Sequence, residues 1–266
     1  MLDQRPAGLE NLTVTIILVP YHQDDQLPDG DIPAPADATV HPDFPGGVDR
    51  WERLAAEYEA VAAAVAGAGG LPLVLSGDCL IAGGVVAGVQ RRGADPAVVW
   101  FDAHADLHTV ESSASGYLGG MSLRLVAGAH PGEYADRFGL RPVAPERIVL
   151  ADARDIDPPE AAYLAGSAVR RIPVADLTAE TAPAGPLVVH VDLDVIDAAE
   201  VPRLRFPVPD GPSADDVLAA CERLLATGRV VAVHVACPWW PVTDPTERGI
   251  REALIARLTA LVAAHR

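Results

Sequence analysis

The sequence predicts an α/β fold in which a mostly parallel sheet is covered by helices on both faces. Short, continuously apolar runs recur along the chain, and helical patterns separate many of them. Half of the 266 residues are hydrophobic and only 5% are aromatic, a composition that suits helices packed closely on a sheet. We expect residues 1–266 to form a single domain.

Seven apolar runs rich in β-branched residues are the predicted strands. Their continuous apolar character is typical of strands that are buried on both faces of a sheet. In chain order they span residues 12–19, 71–75, 97–101, 147–151, 169–174, 187–191 and 229–235.

Three stretches have the pattern of helices. Residues 49–70 begin with acidic residues and end at glycines, and residues 244–265 form an amphipathic pattern. Residues 212–228 contain Ser213 as the predicted N-cap and end at Gly228. Long loops are expected where Pro, Asp and Gly are frequent, near the active-site mouth at 24–49 and again at 203–212.

Charge and cysteine content restrict the classes of function. Lys and Arg total 20 against 37 Asp and Glu, a formal charge of −17, so nucleic acid and anionic membrane surfaces are not expected partners. Cys79, Cys221 and Cys237 are widely spaced, which favours a reducing, cytoplasmic location over a disulfide framework. Neither a signal peptide nor a transmembrane segment is expected.

Polar residues directly follow four of the predicted strands. In sheets of this class, ligands bind outside the carboxyl ends of the strands, so these residues are candidates for a site. Asp78 and Cys79 follow the second strand, and Cys237 follows the last. The third and sixth strands lead into FDAHAD and HVDLDVID, which supply Asp102, His104, Asp106, Asp192 and Asp194.

The two acidic motifs predict a binuclear metal centre. Alternate residues of an extended strand share a face, so Asp102, His104 and Asp106 are expected to project together. With Asp192 and Asp194 added, the carboxylates would repel one another strongly unless cations compensated their charge. Two divalent ions would balance the four carboxylates.

FDAHAD and HVDLDVID resemble the two signature motifs of the arginase and agmatinase (ureohydrolase) family. SGDCL lies where that family has GGDHS, and ARDIDPPE at 153–160 resembles its LRDVDPxE segment. The resemblance extends over roughly residues 70–240. It implies a three-layer αβα sandwich with a central, mostly parallel sheet, and hydrolysis of a C–N bond in a guanidino or amidino compound.

The resemblance also implies a metal-dependent mechanism. Asp102 and Asp192 would bridge two Mn²⁺ ions, and a hydroxide between the ions would attack the guanidino carbon. The implied ligand set is completed by Cys79 and Asp106 on one ion and by His104 and Asp194 on the other.

Further roles follow from the same resemblance. Asp78 would contact the metal-bound solvent or the surroundings of the ligands, and Asp157 would contact the α-amino end of the substrate. Family members commonly form trimers or hexamers, so a homo-oligomer that acts on a small molecule is expected.

Three positions depart from the family pattern near the metals. Cys79 replaces the first histidine ligand: a thiolate would favour Zn²⁺ or Fe²⁺ over Mn²⁺, whereas a neutral thiol would weaken that site. Gly119 stands where the family has a proton-shuttling histidine. His108 replaces an asparagine that contacts substrate in many relatives, and is either a substitute contact and shuttle or a solvated loop residue.

The largest departure follows the last strand. Cys237 aligns with the glutamate that binds guanidinium in the family, and a thiol cannot reproduce a carboxylate's paired hydrogen bonds. Trp239 and Trp240 are either stacking surfaces for a flat or cationic substrate group or packing residues.

Cys79, the GYLGGM segment at 116–121 and His190 resemble a branch of the family that hydrolyses N-hydroxy-arginine, although that branch keeps the glutamate. A hydroxyguanidine is less basic than arginine and has less need of a carboxylate partner. His190 and His234 are either donors to the aspartates or buried core residues.

Two alternatives remain open. One is a hydrolase of a formimino or amide substrate on the same centre, and the other is a catalytically silent metal-binding or scaffold protein. A Rossmann-type nucleotide enzyme is disfavoured because GAGG at 67–70 precedes its strand.

Overall fold

The computed structural model describes residues 13–265. The N-terminal stretch in which no signal peptide is expected lies largely in residues 1–12, outside the described residues. The strands are β1 (Val14–Val19), β2 (Tyr21–His22), β3 (Asp25–Gln26), β4 (Ala38–Thr39), β5 (Leu71–Ser76), β6 (Ala97–Asp102), β7 (Ile148–Asp152), β8 (Arg170–Ile172), β9 (Leu187–Asp192) and β10 (Val230–Ala236).

Eight strands form one sheet in the order β4-β1-β5-β10-β9-β6-β7-β8. Every pairing in this sheet is parallel, and β2 and β3 form a separate antiparallel pair. The predicted parallel sheet is confirmed, and each predicted strand is present within two residues of its expected bounds.

Helices cover both faces of the sheet. They are α1 (Arg50–Gly67), α2 (Ala82–Arg91), α3 (Ser122–Val126), α4 (Pro158–Gly166), α5 (Ala214–Leu225) and α6 (Pro245–Ala264). One core combines sheet residues with side chains of α1, α2 and α3, and a second core combines the opposite face with side chains of α5 and α6. The result is the expected three-layer αβα sandwich.

Sequence patterns predicted α1, α5 and α6 but not α2, α3 and α4. The α5 N-cap is Ser213, as predicted, and its side chain accepts a hydrogen bond from Asp216 N. Helix α2 is buried over nearly its whole length, and only Arg91 at its end is exposed. Its glycines allow close approach to α1: a Cβ at Gly88 would lie 2.6 Å from Val65 Cβ.

The strand order brings the carboxyl ends of β5, β10, β9 and β6 side by side. In this register Ser76 on β5 and Asp192 on β9 both pair with Ala236 on β10, and Asp102 on β6 pairs with Asp152 on β7. Polar residues distant in sequence therefore meet at one edge. Among the described residues, no helix is both long and apolar enough to cross a membrane.

Candidate metal centre and active site

A cavity of about 300 Å³ opens at this edge of the sheet. No arginine or lysine is among the described residues that line it. Nothing from the predicted loop 24–49 lines the cavity, whereas Phe206 of the second predicted loop does. The predicted site residues that reach its wall are Asp78, Cys79, Asp102, His104, Asp106, His108, Asp157, Asp192 and Asp194.

The aspartates converge for a different geometric reason than the one expected. Strand β6 ends at Asp102, so His104 and Asp106 are not held by extended backbone. Asp106 has a φ of 52°, in the left-handed region, which turns the chain back over the strand end. Asp194 likewise lies in a short 3₁₀ turn, Leu193–Val195, directly after β9. Loop turns, rather than strand alternation, bring the carboxylates together.

Asp102 is fixed at the centre of the cluster. Its Oδ2 accepts a hydrogen bond from Trp100 Nε1 at 3.0 Å, and its Oδ1 accepts from the backbone N of His104 at 2.7 Å. Burial, followed by the charge of Asp194, raises the pKa of the Asp102 carboxyl to about 6.

His104 is the imidazole inside the acidic cluster. Its Nδ1 lies 3.0 Å from Asp194 Oδ2 and 3.4 Å from Asp102 Oδ1. Burial by itself lowers the pKa of His104, but hydrogen bonds to Asp102 and Asp194 outweigh it and raise that pKa to about 12. Without a bound metal, the two carboxylates therefore favour the protonated form of the His104 imidazole.

Cys79 lies beside Asp192 at the other end of the cluster. The Cys79 thiol donates a hydrogen bond to Asp192 Oδ2 at 2.7 Å. Burial, reinforced by the neighbouring aspartates, raises the pKa of the thiol well above its ordinary value. Burial and the same mutual repulsion raise the pKa of Asp106 and of Asp192 well above the usual carboxyl range.

The donor set fits divalent cations. Ligand atoms of Asp102, His104 and Asp194 lie within 4.8 Å of one another, and so do those of Asp102, Cys79 and His190, so Asp102 belongs to both groups. Asp106 Oδ2 is buried and has no hydrogen-bond partner among the described residues. Divalent metal ions bind carboxylate oxygens and imidazole nitrogens. The uncompensated negative charge of the carboxylates also favours binding of two such ions.

Both carboxylate oxygens of Asp78 accept hydrogen bonds from backbone N–H groups. Its Oδ1 accepts from Leu80 N at 2.8 Å and its Oδ2 accepts from Gln23 N. Burial raises the pKa of the Asp78 carboxyl. The side chain therefore orders the turn that positions Cys79, directly after β5.

His108 and Asp157 meet at the outer wall of the cavity. His108 Nε2 lies 3.1 Å from Asp157 Oδ2, and His108 Nδ1 lies 3.1 Å from Ser112 Oγ. Glu160, which is not among the predicted site residues, also lines the cavity and accepts a hydrogen bond from Leu107 N at 2.9 Å. The signal for it was the capping box of α4, in which Glu160 bonds back to Asp157 N.

Cys237 and Trp239 do not reach the cavity wall; Pro238 between them does. The Trp239 ring is fully buried in the second core, beneath the guanidinium of Arg251 at 4.2 Å. The expectation that Trp239 contacts substrate is not met by this geometry, because its ring is already covered on the face that Arg251 occupies.

Tyr117 and Phe206 form the aromatic side of the cavity, which sequence reasoning also missed. Their rings lie 4.9 Å apart, and Phe206 also approaches His104, with 6.3 Å between ring centroids. A Cβ at Gly119 would lie 2.3 Å from Tyr117 Cε1, so the tyrosine fills the space beside the position where the family has its shuttle histidine.

Comparison with known proteins points in one direction. A family model described as the arginase family matches residues 18–264. An N(omega)-hydroxy-L-arginine amidinohydrolase from Streptomyces lavendulae is 30% identical over 216 residues, which cover 80% of this chain and 75% of that protein. An arginase from Eremothecium gossypii is 32% identical over 194 residues, covering 67% of this chain and about half of that protein, 48%.

A solved structure shares the fold over nearly the whole chain. The arginase from Bacillus caldovelox superposes with a TM-score of 0.79 at 22% identity, covering 95% of this chain and 98% of that one.

Proposed function

Because the chain belongs to the arginase family, we propose that it is a binuclear metal-dependent hydrolase that cleaves a C–N bond in a guanidino or amidino small molecule. The supporting observation is the cluster of buried aspartates around one cavity that no described arginine or lysine lines. Unless its carboxyl groups take up protons, a cluster of this kind needs external cations to balance its charge.

The proposed metal ligands are those that the motifs indicate. Asp102 is a proposed bridging ligand because its carboxylate belongs to both groups of potential ligand atoms. Asp192, which accepts the hydrogen bond from Cys79 and lines the same cavity, is the second proposed bridge. The remaining proposed ligands are Cys79, His104, Asp106 and Asp194.

Different residues are proposed to bind the metals, to transfer a proton and to exclude water. Two bound cations would supply the positive charge that polarises the substrate and the attacking water. The His108 imidazole, hydrogen-bonded to Asp157 at 3.1 Å, is the proposed group that moves a proton at the outer wall. Tyr117 and Phe206 would shield the reacting centre from bulk water.

The cavity favours a substrate that carries positive charge. Asp155 and Asp157, both largely exposed, stand at its outer wall with side-chain exposures of 64% and 69%. An amino group of the substrate would pair with these carboxylates while the amidino group faces the aspartate cluster. A hydroxyguanidine is the proposed preference within this class, since it is less basic than a guanidine and Cys237 offers a thiol where the family has its guanidinium-binding glutamate.

Metal identity, assembly and location complete the proposal. Mn²⁺ is the proposed metal, with Zn²⁺ or Fe²⁺ as alternatives if Cys79 ligates as a thiolate. A cytoplasmic homo-oligomer, trimeric or hexameric, is proposed on the resemblance to the family. Metal analysis of the purified protein tests the first point, light scattering tests the second, and fractionation of cells tests the third.

The test is metal content followed by a substrate screen. Protein purified without chelators should hold two equivalents of metal, and should release urea or hydroxyurea from arginine, agmatine or N-hydroxy-arginine in a metal-dependent way. Hydrolysis of a formimino compound alone would favour the alternative substrate class, since Cys237 removes the guanidinium contact. Two metals without any turnover, or no metal at all, would favour a silent scaffold.

A further inference from the structure

We propose that His190 is a metal ligand in this chain and that a hydrogen-bonded relay through His234 and Ser76 holds it in the ligating form. The proposal rests on the proposed function, because it concerns the same metal centre. His190 lies on β9 two residues before Asp192, so both side chains project from one face of the strand.

The position of His190 is that of a potential ligand. A ring nitrogen of His190, Cys79 Sγ and a carboxylate oxygen of Asp102 lie within 4.8 Å of one another. His190 is fully buried, and its ring stacks on Trp100 with 3.6 Å between ring centroids. Its Nε2 has no hydrogen-bond partner within residues 13–265. A buried ring nitrogen of this kind needs a partner.

The relay determines which nitrogen of each ring carries a proton. The Ser76 hydroxyl donates to the carbonyl of Asp78 at 2.8 Å, so its oxygen accepts from His234 Nε2–H at 2.7 Å. In a neutral His234 ring, Nδ1 is then unprotonated. It accepts from Nδ1–H of His190, which lies 2.8 Å away.

The end of the relay is an unprotonated nitrogen. With its proton on Nδ1, a neutral His190 ring presents a lone pair on Nε2. Both rings are fully buried, and burial disfavours the charged form of an imidazole, so both are neutral. Since Nδ1 is engaged by His234, Nε2 is the nitrogen left for the cluster.

His190 offers a free lone pair at the end of the centre where Cys79 is a protonated thiol. The thiol donates a hydrogen bond to Asp192 at 2.7 Å, and a protonated sulfur is a poor ligand. A neutral imidazole binds Mn²⁺, Zn²⁺ and Fe²⁺ without adding to the negative charge of the cluster. Ser76 and His234 then act as positioning residues, as hydrogen-bonded groups behind ligating histidines do.

Nitrogen-15 NMR of histidine-labelled protein tests the proposal without an activity assay. The His190 resonances are identified by their loss in His190→Gln. The metal-free protein should show Nδ1 protonated and Nε2 unprotonated, and Zn²⁺ should shift the Nε2 signal. An Nε2 that stays unchanged while two equivalents of Zn²⁺ bind would overturn the role of His190 and leave the proposed function intact. Failure to bind any metal would overturn both.

Affinity measurements by calorimetry provide a second arm. His190→Gln should retain one tight metal and weaken the other at least about tenfold, and His234→Phe should weaken the same site by about tenfold. His265→Gln, on the last residue described, is the matched control and should bind as the wild type does. Equal affinities in all four proteins would contradict the proposal. Thermal denaturation of the metal-free variants separates a folding defect from a ligand defect.

Discussion

Two neighbouring strands end in buried or half-buried aspartates that the protein treats differently. Asp102 on β6 and Asp152 on β7 are partners in the sheet register. Asp152 pairs with Arg154, whose guanidinium also donates to the carbonyls of Val195 at 2.9 Å and Val208 at 2.7 Å. Asp102 pairs with no arginine or lysine in the described chain, and its neighbours are further carboxylates and His104.

The two aspartates illustrate the difference between a charge that stabilises the fold and a charge that binds a metal. Where an acid serves the fold, the chain supplies its own cation and satisfies that cation with backbone carbonyls. At the ends of β6 and β9 it supplies four carboxylates against one imidazole, and the imbalance remains for external cations. Removing an acid from the cluster at the ends of β6 and β9 should therefore reduce metal binding, whereas removing Asp152 should leave metal binding unchanged.

The largest expected effect is on metal content. Asp192→Ala should lose both metals and all detectable turnover, because Asp192 is a proposed bridge between the two sites. Asp152→Asn, at the neighbouring strand end, is the matched control and should keep two equivalents. Elemental analysis of both proteins makes the comparison. Full metal occupancy in Asp192→Ala would show that Asp192, like Asp152, is not needed for metal binding.

The second effect is on stability at the β7 end. Arg154→Met leaves Asp152 without a partner and releases the hydrogen bonds that hold the 195–209 segment, so we expect a loss of about 2 to 4 kcal/mol in the free energy of unfolding. Urea denaturation measures it. In a double-mutant cycle, Asp152→Asn should recover part of the loss. Metal stoichiometry should stay at two; a fall to one would mean that Arg154 serves the centre.

These differences bear on what the sequence could predict. Strand identities and the acidic motifs were readable, because continuous apolar runs and D-x-H-x-D and D-x-D spacing are local features. The turn at Asp106, which has a positive φ, could not be predicted in this way, because it depends on the packing of the segment that follows. The proposed ligands still converge, because the turns that follow β6 and β9 bring the residues of both motifs to the same cavity.

Contacts made across the fold were the main omission. Phe206 and Tyr117 come from segments 89 positions apart, and no local pattern joins them. The core position of Trp239 depends on Arg251, which arrives from α6. The relay from Ser76 to His234 to His190 crosses three adjacent strands, so only the strand order reveals it.

A third, smaller effect is the pH dependence of the metal-free protein. The pKa of Asp102 is raised from 3.8 to about 6 in the folded state, so the folded protein binds more protons than the unfolded chain between these values. Stability from this group is present below pH 3.8 and is lost as the pH rises through 6, with a slope of at most about 1.4 kcal/mol per pH unit.

Denaturation of metal-free wild type and Asp102→Asn across that range isolates the effect. The wild type should lose stability relative to the variant as the pH rises, and Asp152→Asn should show no such difference. Saturating metal should abolish the slope in the wild type. Parallel profiles for wild type and Asp102→Asn would mean that the cluster is already neutralised from within the chain.

The smallest expected effect is a gain in affinity at Cys79. Cys79→His replaces a buried thiol that donates to Asp192 with an imidazole that offers a lone pair, so Mn²⁺ should bind about tenfold more tightly, a difference of about 1.4 kcal/mol. Cys79→Ala is the matched variant that removes the sulfur without adding a nitrogen, and calorimetry with Mn²⁺ compares the three proteins. If Cys79→Ala binds as tightly as the wild type, the sulfur is not a ligand and the balance of charge at this end depends on the carboxylates and His190 alone. If Cys79→Ala binds more weakly, the thiol loses its proton to solvent when the metal binds, and the sulfur ligates as a thiolate that adds a fifth negative charge to the cluster.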